Sequence, residues 1–279
     1  MNSSDARLAA DRAGIADYRF IRMLGGGNHG VFYLAQRPQR LNIDADLVAV
    51  KVLSGSNSQD TFRRATRELA AFAAVRSPFL VTLYDAGQQG DDLYYSMEYL
   101  PAGSLEDAAG SLSARRALDA VADAARAAHA LHEAGIAHND IKPANIMLHD
   151  TGAKLSDLGL SQLLTPGLTI TGLGSAESVE YLDPAVIRGE LPSRATDIFA
   201  LGATLHRALT GTGLYGDLPS NNTMLAMRRV LSHEPEFSAS LPPGAREVIA
   251  AAIDKNPSAR PATAAELADR IDAINDDVL

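Results

Sequence analysis

From Tyr18 to Arg37, apolar and polar residues alternate on both sides of a glycine cluster, "YRFIRMLGGGNHGVFYLAQR". Aromatic and β-branched side chains at a period of two predict strand, turn, strand. "DLVAVKVL" (46–53) adds a third strand, reached through "PQRLNIDA" (38–45), a connection longer than a tight hairpin needs. The period then changes. Over 58–75, Phe62, Leu69 and Phe72 recur at helical spacing among arginines and Glu68, which predicts an amphipathic helix ended by Ser77-Pro78. "FLVTLYDAG" (79–87) and "DLYYSMEYL" (92–100) read as two more strands joined by the polar turn "QQGD".

Past "PAGS" (101–104) the pattern becomes helical. Residues 113–134 form an alanine-rich stretch with Leu118, Val121, Ala125, Ala128 and Leu131 along one face, and Gly135 sits where the helix should close. A strand-rich part therefore precedes a helix-rich part, with the boundary near Pro101 to Ser104. No internal repeat interrupts either part.

Composition narrows the class. Of 279 residues, 46% are hydrophobic and 21% charged, as in ordinary soluble domains, and the length suits two lobes or one large domain. A net charge of −9 argues against a surface built to hold nucleic acid or anionic lipid. Without cysteine there is no disulfide or thiolate chemistry. The first residues lack the apolar core of a signal peptide and no run of about 18 apolar residues occurs, so no membrane span and a cytoplasmic setting are expected.

The candidate chemistry sits at four places. Gly25, Gly27 and Gly30 have G-x-G-x-x-G spacing, which lets a backbone approach phosphates; a plain glycine-rich hairpin turn has the same look. The strand context on both sides points away from a dinucleotide fold. Lys51 lies in the apolar "VAVKVL", either snorkelling from an edge or paired with a carboxylate on the next helix, where Glu68 stands beside Leu69. "IAHNDIKPANIML" (136–148) gathers Asp140, Lys142 and Asn145 within six residues, and Asp157 follows in "KLSDLGLS". A carboxylate can orient a hydroxyl nucleophile, and an amide oxygen with a second carboxylate can hold Mg²⁺.

In this order and spacing the residues resemble the eukaryotic-type Ser/Thr protein kinase family, over about Tyr18 to Ile271. The resemblance implies an α+β, bilobal protein-kinase-like fold: a small antiparallel sheet lobe with one long helix (18–100), after a leader of 1–17, and a larger, mainly helical lobe (101–279). It implies Gly25, Gly27 and Gly30 over ATP, Lys51 on the α/β-phosphates and Glu68 as its partner. Asp140 resembles the catalytic base, Lys142 the γ-phosphate lysine, and Asn145 and Asp157 the ligands of Mg²⁺, with Mn²⁺ as a substitute. Met97 is similar to the gatekeeper, Glu98 and Leu100 to the hinge, and Ala49 and Met147 to the residues that sandwich adenine. Asp197 matches the aspartate that braces the catalytic loop, and Arg260 the late arginine of the large lobe.

Five departures stand out. Leu158 replaces Phe after Asp157, Phe32 replaces the Val that follows the glycine loop, and Ser178 replaces Thr. "YLDPA" stands for A-P-E, so Ala185 takes the place of the glutamate partner of Arg260, and Glu180, Glu190 or another carboxylate must substitute. Asn139 replaces the arginine that binds a phosphorylated activation loop, which implies activity without that phosphorylation despite Thr165, Thr169, Thr171 and Ser175. The expected activity is γ-phosphoryl transfer from ATP to Ser/Thr of protein substrates, with a regulator expected as a separate partner, in the short leader before Tyr18 or in a segment outside this sequence, and no nucleic acid involved. The rival readings are a catalytically weak, pseudokinase-like ATP-binding module and a small-molecule phosphotransferase.

Overall fold

The structure is a computed structural model that describes residues 13–27, 30–53, 59–157 and 176–274. They form two compact units: one takes the described residues up to Ala74 and Val81–Tyr99, the other Val75–Leu80 and the described residues from Leu100 onward.

The first unit is a six-stranded antiparallel sheet. Its strands are β1 (Gly14–Ile15), β2 (Tyr18–Gly27), β3 (Gly30–Gln36), β4 (Leu47–Leu53), β5 (Leu83–Gln89) and β6 (Asp92–Glu98), in the spatial order β1-β2-β3-β4-β6-β5. Helix α1 (Gln59–Ala74) follows β4. The period of two sorts the side chains: Val31, Tyr33, Ala35, Val48, Val50 and Val52 share a core with Ile15, Tyr18 and Tyr94. Phe32, Ala49 and Lys51 therefore point to the opposite face. β4 lies between two neighbours and is buried on both faces after Leu47, which is why its sequence runs apolar without a break.

The strand expected to start at Phe79 starts at Leu83. Pro78 has no N–H to donate to a sheet, and the Phe79 carbonyl is taken by Leu155 N at 2.8 Å in the second unit, where Leu80 bridges Leu155.

The second unit is built on α2 (Ala114–Glu133). The Ser113 side chain accepts from Arg116 N at its start. At its end Gly135, at φ +77°, donates to the His132 carbonyl while Ile136 donates to that of Leu131, the paired bonds of a Schellman close. The alanine stripe is its buried face, and alanine lets neighbours come close: α2 packs against α4 (Arg194–Thr210), α7 (Ala264–Asp272) and the hairpin of β7 (Ile146–His149) and β8 (Gly152–Leu155). The short α3 (Pro184–Ile187), α5 (Thr223–Ser232) and α6 (Ala245–Ala252) complete the unit. No described helix is long and apolar enough to cross a membrane.

Candidate active site

In the first unit the glycine hairpin joins β2 to β3. Gly30 has φ +121°, and a Cβ there would stand 2.4 Å from the Val52 carbonyl oxygen, so only glycine fits. A Cβ added at Gly25 would meet nothing within 4 Å, so open space lies on that side of the residue. Asn28 and His29 at the tip lie outside the described residues, as do Leu158, Thr165, Thr169, Thr171 and Ser175.

Lys51 is buried on β4, directly opposite Phe32 on β3 and Tyr95 on β6. Its Nζ lies 4.6 Å from the Phe32 ring centroid and 6.0 Å from that of Tyr95. Glu68 is half-buried on α1, and burial alone pushes its carboxyl up. One residue pair along the sheet, Ala49 faces Met97, and both are buried. The Glu98 N–H is taken by the Thr82 carbonyl at 2.9 Å. Leu100, in the second unit, is buried and accepts from Gly103 N.

In the second unit the loop 138–142 hangs from one carboxylate. Asp197, in the first turn of α4 and 1% exposed, accepts from His138 N at 2.7 Å, Asn139 N at 2.9 Å and His132 Nε2 at 2.8 Å. A capping box between Ser193 and Thr196 starts α4 and so fixes where Asp197 emerges. His138 is fully buried, and burial lowers its pKa, so the ring is neutral. Nε2 donates to the Ser156 carbonyl at 3.0 Å, and Nδ1 accepts from Asp140 N.

That scaffold presents the reactive side chains together. Asp140 accepts from Lys142 Nζ at 3.0 Å on one carboxylate oxygen and from Asn145 Nδ2 at 3.0 Å on the other. Lys142 Nζ also donates to Ser178 Oγ at 3.1 Å, so the serine does reach the loop. Asn145 Nδ2 donates again to the Asp140 carbonyl at 2.7 Å, while the Asn145 carbonyl accepts from Ser156 N and Oγ. Asp157 follows Ser156 in a left-handed conformation, φ +59°. With its Nδ2 committed to Asp140, Asn145 keeps Oδ1 as a hard donor; together with the Asp157 carboxylate this oxygen set fits Mg²⁺ or Mn²⁺. Met147, on β7, is half-buried beside its bridge to Ser104.

Residues 18–270 match the protein kinase domain family. This chain belongs to the protein kinase family. It is 34% identical to the serine/threonine-protein kinase PknB of Mycolicibacterium smegmatis over 90% of this chain and 41% of that protein. It is 32% identical to PrkC of Bacillus subtilis, covering 90% of this chain and 39% of PrkC, and 32% identical to PknJ of Mycobacterium bovis, covering 91% and 44%. The chain thus spans about two fifths of the length of the curated relatives it matches.

The kinase fold, a small antiparallel sheet with a helix and a larger helical part, is the one described above. Two of its contacts escaped sequence reasoning. Arg260 has a carboxylate partner after all, Asp183, two residues before Ala185. Glu180, one of the candidates for that role, pairs with Arg207 at 3.4 Å instead. Asp183 was in view as the one acid in "YLDPA", but nothing local shows which way it points. Tyr95 was missed because its facing of Lys51 depends on strand register.

Proposed function

We propose that this kinase domain transfers the γ-phosphoryl group of ATP to Ser/Thr hydroxyls of protein substrates. The observation that carries the reading is the Asp140 carboxylate, held by Lys142 and Asn145 on separate oxygens, with Lys142 bridging to Ser178. The substrate hydroxyl oxygen attacks the γ-phosphorus, the bond to the β–γ bridging oxygen breaks, ADP leaves, and Asp140 takes the hydroxyl proton. Lys142 sits where it steadies the transferred group, and Lys51 meets the α/β-phosphates. Glu68 orients Lys51 when nucleotide is bound. Gly25, Gly27 and Gly30 offer backbone to the phosphates, and Phe32, Ala49, Met97, the Glu98 carbonyl, Leu100 and Met147 serve adenine. Asn145 and Asp157 would hold Mg²⁺, or Mn²⁺, which would supply neutralisation of phosphate charge.

Competence without a phosphorylated activation loop belongs to the same reading. Asn139 carries no charge for a phosphate, and the loop backbone is already held by Asp197. Residues 18–100 then supply the glycine loop and Lys51, and residues 101–279 supply the catalytic loop and the metal ligands. An ATP-consuming domain works in the cytoplasm, where its nucleotide is made, and a separate regulatory partner is compatible with this reading. The test is transfer of labelled γ-phosphate to a generic protein acceptor with Mg²⁺ or Mn²⁺. Wild type should transfer, and Lys51→Met and Asp157→Ala should not. ATP binding without transfer above those controls would favour the binding-module reading; transfer only to a small molecule would favour the other rival.

A further inference from the structure

Phe32 stands where the kinase family places valine, and its surroundings show what an aromatic ring can do there. In antiparallel pairing, residues directly opposite share a face of the sheet. Phe32 is opposite Lys51 on one side and Tyr95 is opposite it on the other, so the lysine lies between two rings. The ammonium is 4.6 Å from the Phe32 centroid and 6.0 Å from the Tyr95 centroid. Lys51 is only 8% exposed, so the face of each ring acts on a charge with little water around it, where such contacts are strongest.

We propose that Phe32 is a positioning residue: with Tyr95 it forms an aromatic seat for the Lys51 ammonium and holds that charge ready for the phosphates of ATP. The inference rests on the kinase reading above for the role of Lys51. An aliphatic side chain of similar size fills the same space but has no negative π face. The seat itself costs no hydrogen bond, because a ring face engages the ammonium without accepting through a lone pair. An ammonium already in place serves ground state and transition state alike, so loss of the seat, with Lys51 retained, should raise KM for ATP and leave kcat nearly unchanged.

The chain has four lysines, so their side-chain NMR signals are separable in the full protein labelled with ¹³C-lysine. The Lys51 εCH₂ signal, assigned by its loss in Lys51→Arg, should lie upfield of the other three through the Phe32 ring current. It should move to the ordinary position in Phe32→Leu and return upfield in Phe32→Tyr. Affinity for ATP with Mg²⁺, read by calorimetry, should fall about tenfold in Phe32→Leu and recover in Phe32→Tyr. KM should follow, with kcat within about threefold. A Lys51 signal unmoved by Phe32→Leu, unchanged ATP affinity, or tighter binding in the leucine variant overturns the seat. The wild-type shift does not depend on Phe32→Leu, so a misfolded Phe32→Leu leaves an upfield Lys51 as support and an ordinary one as refutation. If wild type transfers phosphate but Phe32→Leu keeps both shift and affinity, the seat fails and the kinase reading stands. If the shift and ATP affinity behave as expected but wild type transfers nothing, the kinase reading fails and the seat stands.

Discussion

Arg260 Nη1 is bonded to the Asp183 carboxylate, and each side chain is only 2% exposed. The arginine also donates to the Asp254 carbonyl through Nε at 2.8 Å and to the Ala195 carbonyl through Nη1 at 2.7 Å, and it lies over the Phe199 ring. Asp183 in turn accepts from Ala185 N at 2.9 Å, which starts α3. The carboxylate that the family carries at the end of A-P-E has moved to its first position. Replacing Asp183 by Asn leaves a buried guanidinium charge without its counter-charge. Breaking such a pair costs about 3–5 kcal/mol. Denaturant unfolding of Asp183→Asn should show that loss. Adding Ala185→Glu to Asp183→Ala should recover part of what the single change costs.

His206 gives the stability of the domain an acid limb. Its Nε2 accepts from Ser238 N at 3.2 Å, so the proton is on Nδ1, which donates to the Thr212 carbonyl at 3.0 Å. A second proton would turn Nε2 into a donor facing a donor. Burial accordingly lowers the pKa from the model-compound value of 6.5. The unfolded chain therefore binds a proton before the folded one does: the contribution is complete above pH 6.5 and is lost as pH falls through the folded pKa. His138 is displaced in the same direction and adds to the slope. Thermal melts from pH 7.5 down to pH 4.5 should show a steeper fall in wild type than in His206→Gln, about those limits.

Much of this was legible in the chain, for physical reasons that differ from site to site. Strand and helix periods located the sheet, α1 and α2, because each element buries one face and the pattern is local. The candidate cluster was legible as a group because Asp140, Lys142 and Asn145 sit in one short loop. Asp183 was not, since its pairing with Arg260 joins positions far apart in sequence and depends on where α3 turns. The seat of Lys51 needed the register of β3, β4 and β6, which alternation alone does not set. The start of β5 was misplaced because Phe79 and Leu80 look like strand yet serve Leu155 of the second unit.

Asp197 should act on turnover more than on nucleotide affinity. It holds the backbone of His138 and Asn139 rather than touching a reactant, and the loop it fixes carries Asp140. Losing these bonds lets the carboxylate drift, and a displacement of about 1 Å is enough to cost on the order of a hundredfold in rate. Asp197→Ala should lower kcat by about that factor, with calorimetric ATP affinity changing little. His132→Leu, which removes a donor to the same carboxylate, should have a smaller effect of the same kind.

Asn139 settles a conformational need as well as an electrical one. Its φ of +67° lies in the left-handed region, where asparagine is tolerated and most side chains are strained. Its N–H is directed at Asp197, and its Oδ1 is buried without a hydrogen-bond partner among the described residues. The backbone is what the loop uses, so Asn139→Gly should keep kcat within a few-fold, whereas Asn139→Val should cost about 1–2 kcal/mol of stability and reduce kcat with it. If the side chain is not reading a phosphate, the acceptors in the activation segment are dispensable. A variant with Thr165, Thr169, Thr171 and Ser175 all changed to Ala should retain most of its transfer rate. Mass spectrometry should find the wild-type enzyme active before any of the four is phosphorylated. A loss of about a hundredfold in the quadruple variant, equivalent to about 2.7 kcal/mol in the barrier, would contradict independence from activation-loop phosphorylation.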